Sequence, residues 1–129
     1  MTWGALPSER LGVCVAVGVE AGSRGVEPEL AVALSYTESR FSATAVSSRG
    51  AVGPLQIRPV FHCPGRRLEG CDLIKAGVGA IIRYQTKYGP GLKSVLCHWN
   101  SGNRCYPRSE AFAYIVMKRR RVLLRAQER

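Results

Sequence analysis

Short apolar runs, broken by Gly, Pro and polar clusters, set the pattern of this chain, and most of them repeat at helical spacing. Residues 8–23 read as a first helix around the stretch LGVCVAVGV, with Ser8 as its candidate cap. After the break SRGVEP, Pro28 opens a second helix, PELAVALSYTESR, and Glu29 sits in its first turn, where the helix dipole favours an acid. Leu30, Ala31, Leu34 and Glu38 fall on one face of that helix. FSATAVSSRGAVGP (41–54) is turn-rich, and LQIRPVF (55–61) alternates like a short strand. Residues 72–89 predict a helix with Ala76, Val78, Gly79, Ile81 and Ile82 on its packed side, stopped by Gly89-Pro90-Gly91. Further helices are expected over 93–100, ending at Gly102, and over 109–126. The expectation is one domain over 1–129, α+β but predominantly helical, with a small irregular or β element near residues 50–61.

Composition narrows the possibilities. A chain of 129 residues that is 46% hydrophobic supports one real core. No run approaches the roughly 20 apolar residues that span a bilayer. LGVCVAVGV is flanked by Glu9, Arg10 and Glu20, which argues for a retained helix rather than a cleaved leader. Nineteen Lys and Arg against nine Asp and Glu give a net charge of +10, which draws the chain to polyanions: nucleic acid, anionic membrane or a cell-wall polymer. Much of the excess lies in KRRRVLLRAQER (118–129), which reads equally as a solvated helix face. Charge is the one nucleic-acid signal, so no specific nucleic-acid partner is expected.

Five cysteines stand at 14, 63, 71, 97 and 105, with no CxxC pair, so no metal site is expected. Cys63/Cys71 and Cys97/Cys105 are each eight residues apart in loop-like segments. Two short-range disulfides, and hence an oxidising place of action, stand against five free thiols. Cys14 is the odd one, on an apolar face, and reads as a buried thiol.

Glu38 carries the candidate chemistry. Its face is apolar, so the helix would bury it, and burial disfavours the anion. It also lies in the last turn, where the negative end of the dipole acts in the same direction. A carboxyl that keeps its proton near neutrality is a general acid. The competing reading turns Glu38 to solvent or pairs it with Arg40. Asp72, Glu69 and Glu110 are the distant candidates for a second carboxylate, and none shares a local motif with Glu38. The residues by themselves lead to a one-acid site.

The stretch ALSYTESRFSATAVSSRGAVGPLQIRP resembles the catalytic segment of soluble lytic transglycosylases, which share the goose-type lysozyme-like fold. The Glu38-Ser39 pair, Phe41, Ala45, Ser47, Gly50-Ala51, Gly53 and Gln56 carry the likeness. DLIKAGVGAI resembles the family's helix with an Ala-Gly pair, HWNSGN its Tyr-Asn-x-Gly segment, and EAFAYI its late Glu-x-x-x-Tyr motif. The likeness runs in order over about residues 10–116. Pro54-Leu55 and Trp99 depart from the family's usual Leu-Met and Tyr.

The resemblance implies cleavage between N-acetylmuramic acid and N-acetylglucosamine in peptidoglycan, with closure of a 1,6-anhydro sugar and no cofactor. It implies Glu38 as acid and then base. Ser47 would bind the substrate acetamide, or be a turn serine. Gln56 would line the sugar groove, or be an exposed strand polar. Trp99 would stack on sugar, or pack in the core. Asn100 would bind sugar or hold its loop near Glu38. Tyr114 would reach Glu38 or substrate, or be a core ring. Ser39, Gly50, Gly53 and Glu110 would support the site. A monomer acting in the periplasm or on the wall is expected, delivered by a bacteriophage or a secretion machine. Two other readings remain: a hydrolase of the same fold using Asp72 or Glu69 to activate water, and a non-catalytic basic module that binds peptidoglycan or nucleic acid.

Overall fold

The computed structural model describes residues 6–128. Its helices are α1 (Ser8–Ser23), α2 (Pro28–Ser39), the single turn α3 (Pro59–His62), α4 (Leu73–Tyr88), α5 (Leu92–Ser101) and α6 (Pro107–Ala126), with a 3₁₀ turn at Pro64–Arg66. Helix α2 lies between α1 and α6, α5 packs on α6, and α4 packs on both α1 and α5. The core is made of Val17, Leu30, Leu34, Leu55, Val78, Ile81, Leu96 and Val116 with their small neighbours. This is the helical lysozyme-like arrangement. No helix among the described residues is long and apolar enough to cross a membrane.

Helix punctuation follows residue chemistry. Pro28 stands at the start of α2, where a missing N–H costs nothing. Asp72 caps α4 by accepting the Lys75 amide at 3.1 Å. Ser8 is not a cap: Pro7 holds that position and no side chain caps α1. Helix α6 begins two residues earlier than its pattern predicts, because Pro107 suits the first turn and Ser109 Oγ accepts the Tyr106 amide at 2.9 Å.

The expected strand over 55–61 is absent. Among the described residues, β structure is confined to two isolated bridges, Val46 with Val52 and Val52 with Ile57. Gln56 adopts a left-handed φ of 51°, which breaks the extended run, and Pro59 then starts the α3 turn. The alternation of LQIRPVF instead reflects Leu55 and Ile57 facing the core from a tight loop.

This loop is fastened to the helices. Pro54 O accepts from Ser35 Oγ at 2.9 Å and from Ser39 Oγ at 2.8 Å. Leu55 packs against α4 at Gly77, where an added Cβ would lie 2.5 Å from Leu55 Cδ1 and 2.9 Å from Leu55 Cβ. The close approach of loop and helix therefore requires glycine. Gly77→Ala would gain about 1 kcal/mol of helix propensity, but forcing Leu55 Cβ aside would cost about 2–3 kcal/mol. The net loss should lower Tm by roughly 5–10 °C. A thermal melt checks this; an unchanged or raised Tm would show that the packing is slack.

The basic run in α6 is not one uniform solvated face. Arg119 donates to Thr37 Oγ1 at 3.1 Å and lies over the Tyr36 ring at 4.9 Å. Arg120 makes a two-point contact with Glu27. Both arginines fasten α6 to α2, while Lys118 and Arg121 are exposed.

Candidate active site

Helix α2 ends one residue after Glu38, and the chain turns through two consecutive left-handed residues, Arg40 (φ 54°) and Phe41 (φ 64°). Left-handed backbone is costly for non-glycine residues, and the surrounding contacts hold it. Phe41 is fully buried beside the Tyr36 ring. Ser39 Oγ accepts the Ser42 amide at 3.1 Å while donating to Pro54 O. Ser39 thus ties the end of α2 to the loop that faces Glu38.

That loop carries the opposite wall. Ser47 Oγ accepts the amides of Arg49 and Ala51 at 3.2 and 3.0 Å, forming a tight turn. Gly50 sits at φ 83° in it with open space around it, so it serves the turn and not a close approach. Gly53 (φ 78°) meets both demands, since an added Cβ would lie 2.7 Å from Leu73 Cδ1. Gln56 Nε2 donates to Ala45 O and Gly53 O, each at 3.0 Å, and so braces the loop from within.

Between these parts lies an open cleft of about 490 Å³. Glu38, Ser47, Gln56, Trp99 and Asn100 all line it. Glu38 accepts a 2.9 Å hydrogen bond from Trp99 Nε1. Burial pushes the Glu38 carboxyl up from 4.5 to about 7, and the Trp99 bond partly opposes the rise. Trp99 itself rests edge-on against Tyr84, with ring centroids 5.3 Å apart. The ring packs against the core and also lines the cleft, and its tip donates to the acid.

Tyr114 is placed differently from the expectation. It is 62% exposed on α6, outside the cleft lining, and is neither a core ring nor a partner of Glu38. Glu110 is also exposed and pairs loosely with Lys93 at 3.9 Å. Of the candidates for a second carboxylate, Asp72 is occupied as a helix cap, and neither Glu69 nor Glu110 lines the cleft. Among the described residues, Glu38 is the one carboxylate on its walls.

The cleft also contains residues that the sequence did not single out: Arg49, Arg58, Phe61, His62 and Tyr84. The i, i+4 pair Tyr84/Tyr88 on α4 was the available signal for an aromatic wall. These rings continue into His98, stacked on Tyr88 at 3.9 Å. Both cysteine pairs flank segments that line the cleft. Cys63 and Cys71 (Cα–Cα 5.6 Å) follow Phe61 and His62, and Cys97 and Cys105 (Cα–Cα 5.5 Å) bracket Trp99 to Gly102. Both distances lie in the disulfide range. Cys14 is free and half-buried rather than buried, and burial raises its thiol pKa.

A helical domain that presents one half-buried acid, at the end of a helix, to an open polar cleft is built for single-acid chemistry on an extended substrate. The chain belongs to the transglycosylase SLT domain family, whose model matches residues 16–114. It is thus a lytic-transglycosylase-type catalytic domain acting on peptidoglycan. Neither a curated protein nor a solved structure matches it.

Proposed function

We propose that this domain cleaves the β-1,4 bond between N-acetylmuramic acid and N-acetylglucosamine and leaves a 1,6-anhydromuramyl end. The observation that carries this reading is a cleft with one carboxylate, poised near neutrality with a pKa of about 7. A hydrolase that activates water with a second carboxylate needs a partner across the cleft, and the described walls supply none.

In this reading Glu38 gives its proton to the glycosidic oxygen as the bond to the muramyl anomeric carbon breaks. The substrate's own acetamide shares the positive charge at that carbon. The Glu38 carboxylate then takes the proton of the muramyl 6-hydroxyl as that oxygen closes on the anomeric carbon. The acid returns protonated and no water is consumed. Ser47 accepts two amides, which leaves its hydroxyl hydrogen to donate to the acetamide. Asn100 and Gln56 border the sugar path. Peptidoglycan places the reaction in the periplasm or on the wall, and the two cysteine pairs suit an oxidising setting. Digesting purified peptidoglycan and weighing the fragments tests the proposal: ends lighter by one water support it, and reducing muramyl ends oppose it.

Trp99 gives a second test. Its N–H stabilises the Glu38 anion, so Trp99→Phe should raise the acid's pKa further. Glu38 would stay protonated to higher pH, and the alkaline limb of kcat/KM should move up by roughly one unit. Trp99→Tyr, which restores a donor, should move it less. An alkaline limb unmoved or lowered in Trp99→Phe would detach Trp99 from the acid.

A further inference from the structure

Beside the cleft lies a second concavity of about 390 Å³, lined by Arg24, His62, Asp72, Lys75 and Arg83, with Pro64 and Gly70 of the Cys63–Cys71 loop on its rim. His62 borders both spaces. Three cations and one carboxylate face this pocket, and that carboxylate, Asp72, is tied to the first turn of α4.

The guanidiniums are arranged unusually for like charges. A Cβ built on Gly79 would lie 3.6 Å from Arg24 Nη1 and Nη2 and 3.6 Å from Arg83 Nη1, so both groups converge over this glycine. Arg24 is partly satisfied, donating to Lys75 O at 3.0 Å with Glu20 at 3.7 Å. No acid among the described residues pairs with Arg83, whose contact is His62 Nδ1 at 2.7 Å. With Arg83 as donor there, the imidazole is an acceptor at Nδ1 and neutral. Burial and the Arg83 charge both lower its pKa, which agrees. Converging cations without an acid between them repel unless an anion joins them.

Resting on the peptidoglycan reading, we infer that this pocket binds carboxylates of the peptide stem attached to the muramyl residue in the cleft. With the stem attached, the muramyl lactyl group is an uncharged amide and the N-acetylated sugars carry no charge, whereas the stem leaves the muramyl ring and ends in carboxylates. The anion therefore arrives covalently joined to the sugar, and the shared wall at His62 is its route. Arg49 and Arg58 on the cleft wall extend the same positive path. The domain on this account recognises stem-bearing strands in preference to stripped ones.

Binding measured by calorimetry separates this from catalysis. All proteins carry Glu38→Gln so that ligand is not turned over. The ligands are the disaccharide with its peptide stem and the same disaccharide with its lactyl carboxyl capped as a methylamide in place of the stem. The stem-bearing ligand should bind the parent protein more tightly. Lys75→Gln/Arg83→Gln should weaken that binding about tenfold, the size expected of two exposed charge pairs, and leave the stem-free ligand within about twofold. Lys75→Arg/Arg83→Lys should retain most of the preference. Equal affinity of the parent for both ligands, equal losses on both in the Gln variant, or no loss would overturn the inference. So would inorganic phosphate displacing the stem-bearing ligand as well as free stem peptide does at equal ionic strength. The lyase reading is judged separately, by the mass of the products.

Discussion

Replacing Glu38 by glutamine is expected to lower wall-lytic turnover by at least about a hundredfold. The side chain keeps its shape and still accepts from Trp99 Nε1, but it can no longer release and recover a proton. Turnover of peptidoglycan by purified protein checks this, and near-wild-type turnover would remove Glu38 from the mechanism. The variant carries its own folding control. Burial raises the Glu38 pKa from 4.5 to about 7, so the folded chain holds this proton more tightly than the unfolded one. The stability linked to that proton is full below about pH 4.5 and is lost as pH rises through 7, roughly 3 kcal/mol in all. Glutamine escapes the loss. Glu38→Gln should therefore melt above wild type at pH 8 and close to it at pH 4. A variant that melts lower at both values would be misfolded, and its inactivity would carry no weight.

Reducing the cysteine pairs should have the largest effect on stability. Each bond closes a short loop, and the two together should contribute about 5 kcal/mol. Activity should fall as well, because Cys97 and Cys105 bracket the segment that holds Trp99 on Glu38. Peptide mapping without reductant should find Cys63–Cys71 and Cys97–Cys105 joined and Cys14 free. Melts and turnover should then drop in reductant. Five free thiols, a bridge to Cys14, or a melt indifferent to reductant would contradict this.

What could be read from residue order was what depends on local rules. Apolar spacing and Pro or Gly punctuation gave the five longer helices to within a residue or two. The shared face of Leu30, Ala31, Leu34 and Glu38 pointed to a buried acid because helix geometry alone brings those side chains together. Equal eight-residue spacings marked the cysteine pairs. The failures were tertiary. LQIRPVF alternates as a strand would, but pattern does not reveal that Gln56 is left-handed and that Leu55 plugs a notch at Gly77. Tyr114 was placed by motif, and the register of α6 turns it to solvent. The basic run gave charge without partners, so the anchoring of Arg119 and Arg120 on α2 could not be read from it. His62, Tyr84 and Arg83 come from segments distant from Glu38, and only the packing of α4 against α5 and the 59–71 loop brings them to the cleft and its neighbour.

The central claim is that one carboxyl drives cleavage with the substrate's own hydroxyl as nucleophile. The most direct measurement is digestion of peptidoglycan in heavy-oxygen water, followed by the mass of the muramyl ends. The account predicts anhydro ends with no heavy oxygen, formed by wild type and absent with Glu38→Gln. Reducing muramyl ends carrying one heavy oxygen would show that water is the nucleophile and would contradict it.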